Sequence, residues 1–280
     1  MPEGHTLRRL AGHLDEAFRD QPVRVSSPQG RFAAEARDLD GAVLLGADAK
    51  GKQLFVEFEG DRFVHVHLGL IGNFDVHRGL PAGADVVPDP VGAVRLRFAT
   101  ADAWADLRGA TRCDLVGPAR VAEVMATLGP DPLRPDGDVA QVWAKVRRSS
   151  RTIGDLLMDQ TVIAGVGNVY RAEVLFRHRI HPLVPGKELT REQFVAIWDD
   201  LVMLMTEGVA TGRIDTVRPE HTPEAMGRDA RKDDHGGEVY VYRRTDMSCH
   251  VCGTPVSASV LMGRNLFWCS ECQPESLRRA

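Results

Sequence analysis

The stretch Thr161-Val162-Ile163-Ala164-Gly165-Val166-Gly167-Asn168-Val169-Tyr170-Arg171-Ala172-Glu173-Val174-Leu175-Phe176-Arg177 carries two glycines directly ahead of an asparagine. Gly165 and Gly167 break the chain, Asn168 is a good N-cap, and Ala172, Leu175 and Phe176 give the helix that follows a buried stripe. A helix N-terminus behind a glycine turn presents free N–H groups to an anion such as a phosphate. A plain helical hairpin would read the same way, so this segment needs partners elsewhere in the chain.

Further along the chain, Thr190-Arg191-Glu192-Gln193 is a capping box, and Phe194, Ile197, Trp198, Leu201, Leu204 and Met205 continue its helix. Upstream, Val121, Val124, Met125 and Leu128 form one helical stripe, which stops at Gly129-Pro130. Val139, Val142, Trp143 and Val146 form another. Residues 118–211 therefore read as a helical domain. Residues 212–237, rich in Gly, Pro, Asp, Arg and His, read as a long mobile loop. Ahead of residue 118 the period falls to two. Leu54, Val56 and Phe58 alternate with more polar neighbours, as do Val64, Val66 and Leu68, and Val94, Leu96 and Phe98. That pattern predicts an antiparallel sandwich or barrel over residues 2–117. A helix from Thr6 to Phe18 precedes it, with Leu7, Leu10, Ala11, Leu14 and Phe18 at helical spacing. His65 and His67 read as one face of a strand, with no third metal ligand in sight.

Residues 238–280 hold four of the five cysteines. Cys249, Cys252, Cys269 and Cys272 give C-x2-C-x16-C-x2-C, two chelating pairs that satisfy the tetrahedral preference of zinc. Four protein ligands leave no open position, so the expected single zinc is structural. Between the pairs, Val256, Ala258 and Val260, then Leu266 and Trp268, alternate around Met262-Gly263-Arg264-Asn265, a hairpin with an arginine at its tip. Cys113 has no partner in the pattern and reads as a small buried hydrophobe.

The 280 residues, 43% hydrophobic and 26% charged, suit two domains and a small module rather than a disordered chain. No apolar run approaches the roughly 20 residues of a membrane helix. The start Met1-Pro2-Glu3-Gly4-His5-Thr6 is no signal peptide, so a cytosolic protein is expected. The net charge of −4 argues mildly against nucleic acid, but binding needs only a local basic face. Lys145, Arg147, Arg148 and Arg151 form one basic cluster; Arg171, Arg177 and Arg179 form another, and Arg243, Arg244 and Arg264 a third.

Together these elements resemble the formamidopyrimidine-DNA glycosylase and endonuclease VIII family. The resemblance rests on Pro2-Glu3-Gly4, Gly51-Lys52, His67-Leu68-Gly69-Leu70-Ile71-Gly72, Leu128-Gly129-Pro130-Asp131-Pro132-Leu133, Ala164-Gly165-Val166-Gly167-Asn168 and the four-cysteine finger with Arg264. The motifs agree in order as well as type, from residue 2 to the finger. The resemblance implies an α+β multidomain fold: an N-terminal helix on a β-sandwich, a helix–two-turn–helix domain and a zinc-bound hairpin. It also implies a monomer of the bacterial cytosol, with damaged double-stranded DNA in a cleft between domains, and a bifunctional DNA glycosylase and AP lyase.

The chemistry has its own logic. Loss of Met1 would expose the secondary amine of Pro2. An α-amino group has a reference pKa near 8, against about 10.4 for lysine, so more of it is unprotonated at neutral pH. Such an amine can attack C1′ of the sugar and form an iminium, with Glu3 beside it to move protons. The likeness assigns Lys52 to β-elimination, Arg264 to δ-elimination and Asn168 to a phosphate, and Arg108 and Arg171 join the DNA contacts. Leu70 and Ile71 fit a wedge that fills the hole left by an everted base, because Gly69 and Gly72 favour an exposed turn over a strand end.

The sequence departs from the 8-oxoguanine branch. Asp106-Leu107-Arg108-Gly109-Ala110 lacks the phenylalanine that branch carries after its second arginine, and Thr6 stands where relatives often have glutamate. Leu157-Met158-Asp159-Gln160 is nearer endonuclease VIII. Oxidised pyrimidines and abasic sites are therefore the expected substrates. The alternatives are a preference for 8-oxoguanine and formamidopyrimidine, a non-catalytic damage-binding protein, and a zinc-finger regulator reading the major groove.

Overall fold

The structure is a computed structural model that describes residues 2–232 and 237–275. The expected removal of Met1, and positions 233–236 of the expected mobile loop, lie outside the described residues. The chain divides into two compact units, one up to Thr127 and one from Leu128.

The first unit opens with α1 (Gly4–Phe18), β1 (Gln21–Pro22), β2 (Arg24–Ser26) and α2 (Ala33–Leu39). Then come β3 (Val43–Lys50), β4 (Gln53–Phe58), β5 (Arg62–His67), β6 (Asn73–Arg78), β7 (Leu96–Ala99), β8 (Ala103–Arg108), β9 (Arg112–Val116) and α3 (Pro118–Thr127). They build two antiparallel sheets, ordered β1-β3-β4-β5-β9 and β2-β7-β8-β6. The period-two residues Leu54, Val56, Phe58, Val64, Val66, Leu96 and Phe98 all point into one core. Phe98 lies at its centre, with the rings of Phe18, Phe58 and Phe74 at 6.0, 5.5 and 5.7 Å.

Helix α1 buries Leu7, Leu10, Leu14 and Phe18 in that core, the stripe its spacing calls for. Two polar ties fix its position along β3. Asp15 Oδ1 accepts the Ala47 N–H at 2.7 Å, beside a β-bulge between Leu44 and Gly46, and Arg8 pairs with Asp48 at 2.6 Å. The place where the N-terminus emerges is thereby set by the sheet.

Helix α3 stays with this unit, although its apolar stripe reads as the start of the helical domain. It packs on β5, and Lys50 Nζ donates to the Met125 carbonyl at 3.2 Å. None of its residues is fully buried, so its stripe makes a one-sided contact and not a domain core.

The second unit holds α4 (Val139–Val146), α5 (Ile153–Leu156), α6 (Asn168–Arg177), α7 (Arg191–Thr211), α8 (Pro223–Met226), β10 (Ser257–Leu261) and β11 (Arg264–Trp268). Helix α6 is its axis, with every residue from Asn168 to Phe176 buried. The Thr190–Gln193 capping box forms at the head of α7, and Gly212 closes that helix at φ 76°. The loop that follows is pinned at its base. Thr216 N–H donates to the Glu238 carbonyl at 2.8 Å, Glu238 N–H donates to Asp215 Oδ1 at 2.7 Å, and Ile214 and Thr216 are buried. Among the described residues no helix is long and apolar enough to cross a membrane.

Candidate functional site

In the first unit, Glu3 is the N-cap of α1. Its backbone is extended, and it forms a capping box with Thr6. Glu3 is fully buried and Pro2 half-buried. Lys52 occupies the two-residue turn between β3 and β4, where Gly51 takes φ 58°. Burial first, and then the Lys52 charge, push the His67 imidazole below its ordinary value. Lys52 and the end of β5 therefore share one electrostatic environment.

Beyond His67 the chain turns through residues 68–72. Leu70 is 68% exposed and Ile71 86% exposed, at the tip of that turn. The turn rests on the β8–β9 connection. Thr111 donates to the His67 carbonyl at 3.0 Å, and His67 Nδ1 donates to Thr111 Oγ1 at 2.9 Å. A Cβ on Gly69 would collide with the Thr111 methyl, and one on Gly72 with the Leu68 carbonyl. Two apolar side chains are thus presented to solvent on a supported tip. Arg108 ends β8, and its guanidinium is committed to Asp106 at 2.9 Å, the Val91 carbonyl at 3.0 Å and Asp75 at 3.2 Å. Those partners hold it along its own sheet, a constraint on the DNA contact expected of it.

In the second unit, the Gly165–Gly167 turn is stitched by Gln160. The Gln160 amide donates to the Val166 carbonyl at 3.0 Å and accepts the Gly165 N–H at 2.9 Å. The N-cap of α6 is Gly167 and not Asn168. Asn168 is the first helical residue, and its Oδ1 accepts from Arg171 Nη2, which draws the side chain along the helix.

The sequence places Arg171 among the DNA contacts; the structure buries it at 1% exposure. Its guanidinium also donates to the Asn265 carbonyl at 2.6 Å and the Gly154 carbonyl at 3.5 Å. It joins α6 to α5 and to the finger, so its charge serves internal carbonyls. Arg177 and Arg244 turn inward in the same way. Arg177 grips Asp200 through Nε at 2.7 Å and Nη2 at 2.8 Å, and Arg244 donates to the Tyr240 and Ser248 carbonyls. Arg151 is spent on Asp155 and Asp159, each at 2.7 Å. The basic runs therefore supply less free charge than their composition suggests.

Strands β10 and β11 pair with Leu261 opposite Arg264, so the hairpin turn is Met262-Gly263, at φ 49° and 73°. Arg264 is the first residue of β11 and is exposed beside that tip. The four sulfur atoms of Cys249, Cys252, Cys269 and Cys272 lie within 4.8 Å of one another, close enough to share one metal ion. Gln273 ties the base of the finger down: it accepts the Cys269 N–H at 3.0 Å and donates to the Ile180 carbonyl at 2.8 Å. Cys113 is buried, and burial pushes its thiol up to about 12.

One buried group escapes any reading of the sequence. Glu173, fully buried on α6, accepts from Thr216 Oγ1 and the Tyr240 N–H at 2.6 Å each, the Tyr242 N–H at 2.8 Å and the Val241 N–H at 2.9 Å. A glutamate in the middle of a buried helical stripe is the signal that could have marked it.

Comparison with known proteins agrees with this architecture. Residues 1–113 match the formamidopyrimidine-DNA glycosylase N-terminal domain, and residues 128–219 the formamidopyrimidine-DNA glycosylase H2TH domain. Endonuclease 8 1 of Mycobacterium tuberculosis is 49% identical over 281 residues, covering 98% of this chain and all of the relative. A formamidopyrimidine-DNA glycosylase of Parasynechococcus marenigrum is 30% identical, covering 98% of this chain and 99% of the relative. Among solved structures, the Lactococcus lactis Fpg in complex with DNA containing an abasic site superposes with a TM-score of 0.77 at 22% identity, covering 97% and 99% of the two chains. By its paired domains and its full-length relatives, the chain belongs to the formamidopyrimidine-DNA glycosylase and endonuclease VIII family, bifunctional DNA glycosylases and AP lyases of base-excision repair.

Proposed function

We propose that this enzyme excises oxidised pyrimidines from double-stranded DNA through an imine on Pro2, then cuts the strand by β,δ-elimination. The observation that carries the reading is the N-terminus itself: a Pro-Glu pair seated on the cap of a helix that is docked rigidly on the sheet. The Pro2 nitrogen attacks C1′ and the base departs with a proton. Ring opening then gives a C1′ iminium. That cation acidifies C2′, whose proton is lost as the C3′–oxygen bond breaks; a second elimination breaks the C5′–oxygen bond. Glu3 moves protons at the base and the sugar oxygen. Lys52 assists the first elimination and Arg264 the second, and both neutralise phosphates, while the uncharged Asn168 amide at the head of α6 holds one by hydrogen bonding.

Leu70 and Ile71 fill the gap left by the everted base. Their exposure on a braced turn supports this, because a wedge must enter the stack without folding away. The four cysteines would hold one zinc, which would keep the hairpin that carries Arg264 in shape. The pyrimidine preference rests on the missing aromatic after Arg108 and on the higher identity to the relative named Endonuclease 8 than to those named formamidopyrimidine-DNA glycosylase.

Borohydride reduction in the presence of abasic-site DNA tests the chemistry. A covalent adduct on Pro2 is expected, lost when the N-terminus carries a tag, with DNA binding retained. An adduct on a lysine, or none, would remove the Pro2 mechanism. Faster release of 8-oxoguanine opposite cytosine than of thymine glycol would remove the pyrimidine preference. Elemental analysis that found no zinc would remove the metal assignment.

A further inference from the structure

The first turn of α1 contains two polar side chains that the mechanism above does not use, His5 and Thr6. Thr6 holds both ends of Glu3. Its Oγ1 accepts the Glu3 N–H at 3.4 Å, and its own N–H is the partner of the Glu3 carboxylate in the capping box. The Thr6 N–H also donates to the Glu3 carbonyl at 2.9 Å, closing the turn. On its other side, Thr6 Oγ1 lies 3.3 Å from His5 Nε2.

A hydroxyl has one proton and two lone pairs. If a lone pair takes the Glu3 N–H, the proton is best placed on an acceptor, and His5 Nε2 is the neighbouring ring nitrogen. That nitrogen accepts only when the imidazole is neutral. His5 is 5% exposed, and burial pushes it down to about 4, so it is neutral at physiological pH.

We propose that Thr6 and His5 are a positioning pair for the catalytic N-terminus, resting on the Pro2 reading above. His5 Nε2 takes the Thr6 proton and turns the Thr6 lone pair onto the Glu3 N–H. The Glu3 peptide plane is then fixed. The proline ring already locks one backbone torsion of its residue, so the direction of the Pro2 nitrogen is left with one soft rotation about a fixed plane. The same hydroxyl-bearing residue restrains the Glu3 carboxylate, so the nucleophile and its proton carrier are oriented from one point.

The test uses the full chain with its native N-terminus and abasic-site duplex DNA. Wild type is trapped with borohydride first; absence of a Pro2 adduct would overturn the parent reading, and this proposal with it. Single-turnover imine formation is then timed for Thr6→Val, Thr6→Ser and His5→Phe, with DNA affinity measured alongside. Thr6→Val keeps the shape and loses the hydroxyl. It should slow imine formation about 10-fold, with DNA affinity within about 2-fold of wild type, because misplacing reacting groups costs rate and not binding. Thr6→Ser keeps the hydroxyl and should restore most of the rate. His5→Phe should slow the step in the same direction, by roughly 3-fold or more, since the hydroxyl then lacks its orienting acceptor. Wild-type rates in Thr6→Val, with Pro2 trapped normally, would overturn the pair while leaving the Pro2 mechanism standing. So would a Thr6→Ser variant as slow as Thr6→Val, which would assign the effect to packing.

Discussion

At position 72 a single methyl group would meet the Leu68 carbonyl and come within 3.0 Å of the Ala110 Cα. Gly72 is therefore required by the close approach of two turns. Gly72→Ala must push the 68–72 turn off the β8–β9 connection, which moves Leu70 and Ile71 at its tip. The expected outcome is excision from duplex DNA lowered by about 10-fold or more, with cleavage of single-stranded abasic DNA nearly unchanged, since a single strand leaves no hole to fill. Equal losses on both substrates would show that the turn does not serve base eversion. The two glycines were legible in the sequence as an exposed turn. Thr111, the residue under it, was not, because it comes 44 residues after His67 and nothing local marks the contact.

At the scale of the element, α6 organises the second unit through two charged residues that point inward. Glu173 gathers three consecutive backbone N–H groups and a hydroxyl from segments 43 to 69 residues away. Arg171 reaches the finger hairpin at Asn265, 94 residues on. Glu173→Gln would turn an amide N–H₂ toward donors and leave part of the ladder unpaired, costing about 2–4 kcal/mol by the usual penalty for unsatisfied buried groups. Urea unfolding monitored by tryptophan fluorescence should show the loss, and unchanged stability would mean that water replaces the lost acceptor. Composition marks Arg171, Arg177 and Arg244 only as members of basic runs. A guanidinium reads alike whether it faces a phosphate or a buried carbonyl, so which of the two it serves depends on the fold around it.

For the molecule as a whole, burial of neutral histidines makes stability depend on pH. Burial, joined at each by nearby positive charges, lowers both His5 and His65 to about 4. His65 stacks on Phe55 at 4.5 Å and donates to Gln53 at 2.8 Å. In the unfolded chain both titrate near the ordinary histidine value of about 6.5, so below that pH the unfolded state binds more protons than the folded one. Stability is complete above about pH 6.5, falls as pH drops, and levels off below about 4 as far as these two groups are concerned. Between pH 7 and 5 the loss should be about 1–2 kcal/mol per histidine. His65→Phe retains the stack and should remove its share of that slope in denaturant titrations at the two pH values. An unchanged slope would mean that His65 titrates normally in the folded state.

Elements whose signal is local were already legible in the chain. Period-two runs became the sandwich, period-3.6 runs became α1, α4 and α7, and the cysteine spacing brought four sulfurs together, because each pattern is set by the geometry of a few neighbouring residues. The ordered set of short motifs also marked the family, which the two family domains and the full-length relatives show. Where the first unit ends, that Gly167 and not Asn168 caps α6, and which arginines are internal were settled by packing in three dimensions. Those outcomes depend on partners tens of residues away. Burying a charge is favourable only when distant carbonyls and carboxylates arrive to receive it.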